Sequence, residues 1–220
     1  MNKDWTELNK TMQLQIKKKD TFESGIRTLL MLRKELMGQI MQFKSELSFD
    51  DFYSMPYMNA KGYHNKTIAY SLWHIFRIED IVAHSLIADD EQVFFKDNYQ
   101  KRMNSPIVTT GNELVKGEIE DFSKNLCIEE LYNYVVDVDK STTAILKTFT
   151  YSDIKTKMTE EKRTKLERLN VVSKDENAYW LLEYWCGKDV KGLIRMPFSR
   201  HWIMHIEACI KIRDKQLSKR

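Results

Sequence analysis

The stretch "TFESGIRTLLMLRKELMGQIMQFKSEL", residues 21–47, carries apolar side chains at Ile26, Leu29, Leu30, Leu32, Leu36, Ile40, Phe43 and Leu47. Spacings of three and four residues place these side chains on one helical stripe, with charged residues on the other side. The alternation of a strand is missing, so the run predicts one long amphipathic helix. Such a helix must bury its stripe against partners, and the flanking sequence supplies them. Residues 48–66, "SFDDFYSMPYMNAKGYHNK", gather Asp, Pro, Asn and Gly and read as a connection with one short turn. Residues 67–88, "TIAYSLWHIFRIEDIVAHSLIA", read as a second helix with Thr67 as N-cap.

Further along, 89–124 is polar and broken by Pro106 and two glycines, which predicts short helical pieces and loop. Residues 128–149 predict a third long helix, and Thr159 to Leu169 a short charged one. In "SKDENAYWLLEYWCG", Ser173 and Glu176 have capping-box spacing and Gly187 is a natural stop. The last helix is expected to start at Ser199 as its N-cap. Four long helices with an elaborated crossover, no internal repeat and no linker predict an all-α four-helix bundle in one domain, residues 1–220. Its core spans about 20–215, and residues 1–20 form an N-terminal extension.

Composition agrees with this reading. Seven Gly and three Pro are too few for the turns of a β-rich chain of 220 residues. The 35 basic and 32 acidic residues are interspersed, and the one basic run, Lys17-Lys18-Lys19, lacks interleaved aromatics. No nucleic-acid partner is expected from that pattern. No run reaches the ~18 apolar residues of a membrane span, and "MNKDWTELNK" has no apolar leader region. Cys127, Cys186 and Cys209 are far apart and odd in number, which suits reduced thiols and a cytoplasmic location.

The chemistry concentrates in "SRHWIMHIEA", residues 199–208. At about 100° per residue, Glu207, Lys211, Asp214 and Lys215 share one face of the last helix. His201, Trp202, His205, Ile206, Cys209 and Ile212 share the opposite, buried face. Two unpartnered buried imidazoles would cost about 2 kcal/mol or more, so something must satisfy them. One solution is a backbone carbonyl or carboxylate for each ring. The other is a divalent metal, for which neutral imidazole is a common ligand and two rings one turn apart fill neighbouring positions.

A third ligand must then come from elsewhere. His64 lies in a connection, while His74 and His84 lie ten residues apart on the second helix, about 80° around its axis. His74 shares a stripe with Ile78 and Ile81 and is the better third ligand; His84 falls beside Arg77 and Asp80. Cys209 is a conceivable fourth. Trp202 follows His201 where a zincin protease needs Glu, and no Glu precedes any histidine by three as a di-iron bundle requires. Glu79 sits among apolar neighbours and needs a partner such as Arg33 or Lys34. Arg195 and Arg200 are candidates to hold an anionic substrate group, and Tyr70, Trp73 and Trp202 to line a pocket.

These features together resemble the DinB-like (YfiT-like) metal-dependent proteins. The resemblance covers roughly residues 20–215 and rests on "TIAYSLWHIFRIEDIVAHSLI", with "LWHIFRIED" at its centre, and on "RMPFSRHWIMHIEA". It implies an up-down-down-up bundle with extra short helices in the crossovers, and a divalent metal (Zn, Ni, Mn or Fe) held by His74, His201 and His205. Open coordination positions would follow, as would a thiol S-transferase or hydrolase activity acting on a low-molecular-weight thiol or other small molecule. It also implies a homodimer, for which the aromatic segment 179–185 offers a surface. The alternative function is a non-enzymatic binding or stress-response protein that keeps the histidines as a structural metal site or a buried cluster.

Overall fold

The computed structural model describes residues 2–220 and is helical throughout, with no strand among the described residues. Four long helices meet side by side: α2 (Phe22–Glu46), α4 (Ile68–Asp80, extended by a π-helical segment, Ile81–Ala88), α8 (Ile128–Thr148) and α12 (His201–Leu217). A further helix, α1 (Lys3–Gln15), precedes them. Short elements fill the connections: α3 (Phe49–Tyr53), α5 (Val93–Lys96), α6 (Tyr99–Arg102), α7 (Gly117–Asn125), α9 (Glu160–Leu169), α10 (Glu176–Cys186) and α11 (Val190–Arg195). No helix is long and apolar enough to cross a membrane.

α4 is the central rod, and every residue from Ile68 to Asp80 is buried. Thr67 caps it as expected, accepting from the Tyr70 N–H at 2.9 Å. A helix buried all round has no solvent for its polar side chains, so each must find a partner inside. Glu79 accepts two bonds from Arg33 of α2, at 2.7 and 2.9 Å. Asp80 accepts from the Val93 and Phe94 N–H groups that open α5 and from the Tyr134 hydroxyl, while Arg77 reaches the Val108 carbonyl. The charges that break the apolar pattern of α4 are therefore the bolts that tie it to α2, α5 and α8.

Within the N-terminal extension, α1 packs along α2, burying Trp5 and Met12. Two expectations are corrected. Ser199 is not an N-cap, because helical backbone runs on from α11, capped by Asp189, through a π turn at Met196–Arg200 into α12. Pro197 has no N–H to give the ladder, and the buried Ser199 hydroxyl donates to the Ile194 carbonyl instead of capping. Ser173 and Glu176 do not form a capping box either. Asp175 is the N-cap of α10, and Ser173 accepts from the Asp175 N–H. A carboxylate directly before the helix is the better acceptor for its orphan donors.

Candidate metal centre

His74 comes from the middle of α4 and His201 and His205 from the first turns of α12, where the two helices pack side by side. The ring centroids lie 5.0, 4.8 and 4.5 Å apart, and one donor atom from each ring lies within 4.8 Å of the others. All three residues are buried. The three rings can hold one metal ion. His64 packs against Tyr57 outside the cluster. Cys209 is fully buried, desolvation pushes its thiol up to about 12, and it is not among the residues whose donor atoms converge.

The protonation states follow from partners. The Thr110 carbonyl can only accept, and it lies 2.8 Å from His74 Nδ1, so that nitrogen carries the proton and Nε2 keeps its lone pair. Burial lowers the His74 pKa to about 4 and takes His201 and His205 well below the ordinary histidine value. Neighbouring imidazoles push His201 and His205 in the same direction. Each of these two rings also keeps a buried Nδ1 without a hydrogen-bond partner. Neutral, converging, under-partnered imidazoles are the donor set that a divalent ion of the zinc class takes. The residues therefore fit such a group.

A strap fixes the His74 ring, and sequence reasoning missed it. Three backbone carbonyls of the loop after α6 accept from three successive turns of α4: Gly111 from the Tyr70 hydroxyl, Thr110 from His74, Val108 from Arg77. The strap turns at Gly111, whose φ of 76° favours glycine and where a Cβ would meet Tyr70 Cε2 at 3.0 Å. The glycine at 111 in an otherwise polar segment was the available signal.

Glu79 stands behind the rings rather than among them. Its carboxylate accepts from Trp202 Nε1 at 2.8 Å, and the Arg33 guanidinium lies 4.3 Å from the centre of the Trp202 ring. The network holds Trp202, which lies between the two α12 histidines in the chain, and so fixes the face that α12 turns to α4. Burial pushes the Glu79 carboxyl up, and Arg33 opposes that shift.

The imidazoles form the floor of a cavity of about 280 Å³. Tyr70 lines it as expected; Trp73 and Trp202 do not, being packed into the core. Arg195 binds Gln13 of α1 and Arg200 is exposed, so neither faces the cavity. The walls instead come from Trp180, Leu181, Tyr184 and Trp185 of α10, from Met196 and Pro197 of the π turn, and from Tyr63, Lys66, Ile78 and Asn112. The α10 residues reach the site through tertiary packing, and no local pattern announces them.

His84 makes a separate arrangement. It bonds Asp90 through Nδ1 at 2.6 Å and Ser141 through Nε2 at 3.0 Å. The order is that of a Ser-His-Asp triad, but Ser141 lies inside α8, where backbone N–H groups are spent on the helix. An acyl-transfer site needs free donors for its oxyanion. The arrangement ties the π-helical end of α4 to α8. A scan of protein-family models and a search of curated proteins return no match to this chain.

Proposed function

We propose that the chain is a DinB-like protein of the up-down-down-up type that binds a divalent metal through His74, His201 and His205 and uses it in a metal-dependent transferase or hydrolase reaction. The observation that carries this reading is the convergence of three neutral, buried imidazoles on the floor of a cavity. A structural metal or a buried polar cluster needs no space beside it, whereas this one opens onto about 280 Å³ of aromatic-walled volume. A bound zinc-class ion acts as a Lewis acid, lowering the pKa of a thiol or water that it contacts. The chain's own residues do the rest. Thr110 orients His74, Glu79 and Arg33 hold Trp202 and with it the α12 face, and the α10 aromatics exclude water. A small-molecule substrate, a low-molecular-weight thiol among them, a cytoplasmic location and a homodimer belong to the same reading.

Elemental analysis of protein purified without chelator tests it. The expected result is about one divalent ion per chain, lost in His205→Ala and in His74→Ala while helical circular dichroism is retained. Well-folded wild-type protein that takes up no Zn²⁺, Ni²⁺, Mn²⁺ or Fe²⁺ when supplied would overturn the proposal.

A further inference from the structure

The charges around the cavity do not balance. No Asp or Glu lines it. Its one fixed cation is Lys66, at the end of the connection before α4, which makes no ion pair among the described residues. Of the other partly covered lysines, Lys165 has Asp89 and Lys191 has Asp189, while Lys162 donates to the Leu86 carbonyl and Lys188 lies over the Tyr184 ring. Lys66 lies 5.4 Å from the centre of the Tyr70 ring, and that ring stacks on His74 with planes 9° apart. The ammonium is thus set over the metal-side wall. Asn112, next in the chain to the Gly111 carbonyl that the Tyr70 hydroxyl reaches, also lines the cavity; its amide oxygen accepts from Thr110 Oγ1 and its NH₂ stays a donor.

Much of the remaining wall is carbon. Trp180, Leu181, Tyr184 and Met196 offer ring faces and a thioether. Trp180 is half exposed and forms part of both wall and surface. A neutral apolar ligand would fill that side and leave Lys66 desolvated without a counter-charge. A highly charged polar ligand would satisfy Lys66 and waste the aromatic wall.

We propose that the cavity binds a small organic anion with an apolar body, its carboxylate seated on Lys66 and Asn112 and its body against the α10 aromatics. Three neutral imidazoles around a divalent ion add positive charge and no compensation, so an anion also neutralises the loaded site. The Lys66 seat stands without the metal. Only the ligand's second contact, to the ion, rests on the metal-centre reading.

The test is calorimetric titration of the full-length protein with benzoate and with benzamide, its neutral counterpart of the same shape, in zinc-loaded and chelator-treated samples. In both samples benzoate should bind about tenfold more tightly than benzamide at low salt, with the gap narrowing as salt rises. Lys66→Met should remove that tenfold preference while leaving benzamide unchanged, and Lys66→Arg should restore most of it. Lys66 lies in a partly exposed connection, so these variants test the charge with little risk to folding. Equal affinities for acid and amide, or no heat from either at about 10 mM, overturn the proposal. So does a preference for acid that survives Lys66→Met and disappears with chelation, since that places the carboxylate on the metal. A protein that binds no zinc yet prefers benzoate through Lys66 supports this inference and removes only the metal centre.

Discussion

A single carboxylate shows how residue chemistry holds the candidate centre. Glu79 is fully buried, and its two oxygens are used by Arg33 and by Trp202 Nε1. Arg33 also binds Asp139 of α8 at 2.6 Å, so one guanidinium joins α2, α4 and α8. Removing one member strands the other in a dry interior, which costs about 3–5 kcal/mol. Arg33→Met is therefore expected to lower unfolding stability by about that amount in urea titration. Arg33→Met with Glu79→Leu should regain part of the loss, because the fully buried carboxylate is no longer stranded and Asp139, the other partner of Arg33, still reaches solvent. If the single and the double variant are equally destabilised, packing rather than charge is the main contribution. This partnership was legible from sequence, since a Glu among apolar neighbours on a helix face requires a cation and Arg33 was one of two within reach. That Trp202 completes it was not legible, because the indole joins only once α12 is docked.

At the scale of elements, the sequence reading placed α2, α4 with its π-helical extension, and α8 within a residue or two of their ends. It failed on α1, whose buried side chains are few and whose composition is polar, although Asn2 caps it and it packs along α2. It failed also at Ser199, where local cap chemistry competed with a continuing helix and the tertiary interior won. The 108–111 strap was missed for a related reason: its bonds come from backbone carbonyls, which carry no side-chain signature, and Gly111 alone marked it. Two glycines separate strap from scaffold. Gly111→Val places a β-branched residue at positive φ against Tyr70, and should cost about 2 kcal/mol in stability. It should also weaken zinc affinity about tenfold, because the carbonyl that orients His74 moves. Gly38 lies exposed within α2, and a Cβ added there would meet nothing within 4 Å. Gly38→Ala should therefore add about 0.5–1 kcal/mol and leave zinc affinity alone. Urea unfolding and competition with a fluorescent chelator check the pair; equal zinc affinity in both would remove the strap from the site.

For the whole molecule, three neutral imidazoles in one interior make acid the weak direction. In the metal-free protein His74 takes its proton at a pKa of about 4, against an ordinary value of 6.5, because burial disfavours the cation. His201 and His205 shift the same way. Between those values the unfolded chain binds more protons than the folded one, so stability rises with pH across the window and falls as pH drops from 6.5 toward 4. His74 alone carries a loss on the order of 3 kcal/mol over that range. Glu79 and Asp80 act with opposite sign: burial raises their pKa, so the folded state gains protons ahead of the unfolded one and acid favours it. The histidine contribution is isolated by difference. Wild type treated with chelator should lose urea midpoint steadily from about pH 7 to about pH 4.5. His205→Gln, which keeps bulk and polarity but cannot titrate, should give a shallower slope. Zinc should lift the midpoint most at neutral pH and least in acid, since protons and metal compete for the same lone pairs. Parallel slopes for wild type and His205→Gln would mean that groups other than this imidazole cluster set the acid limit of the fold.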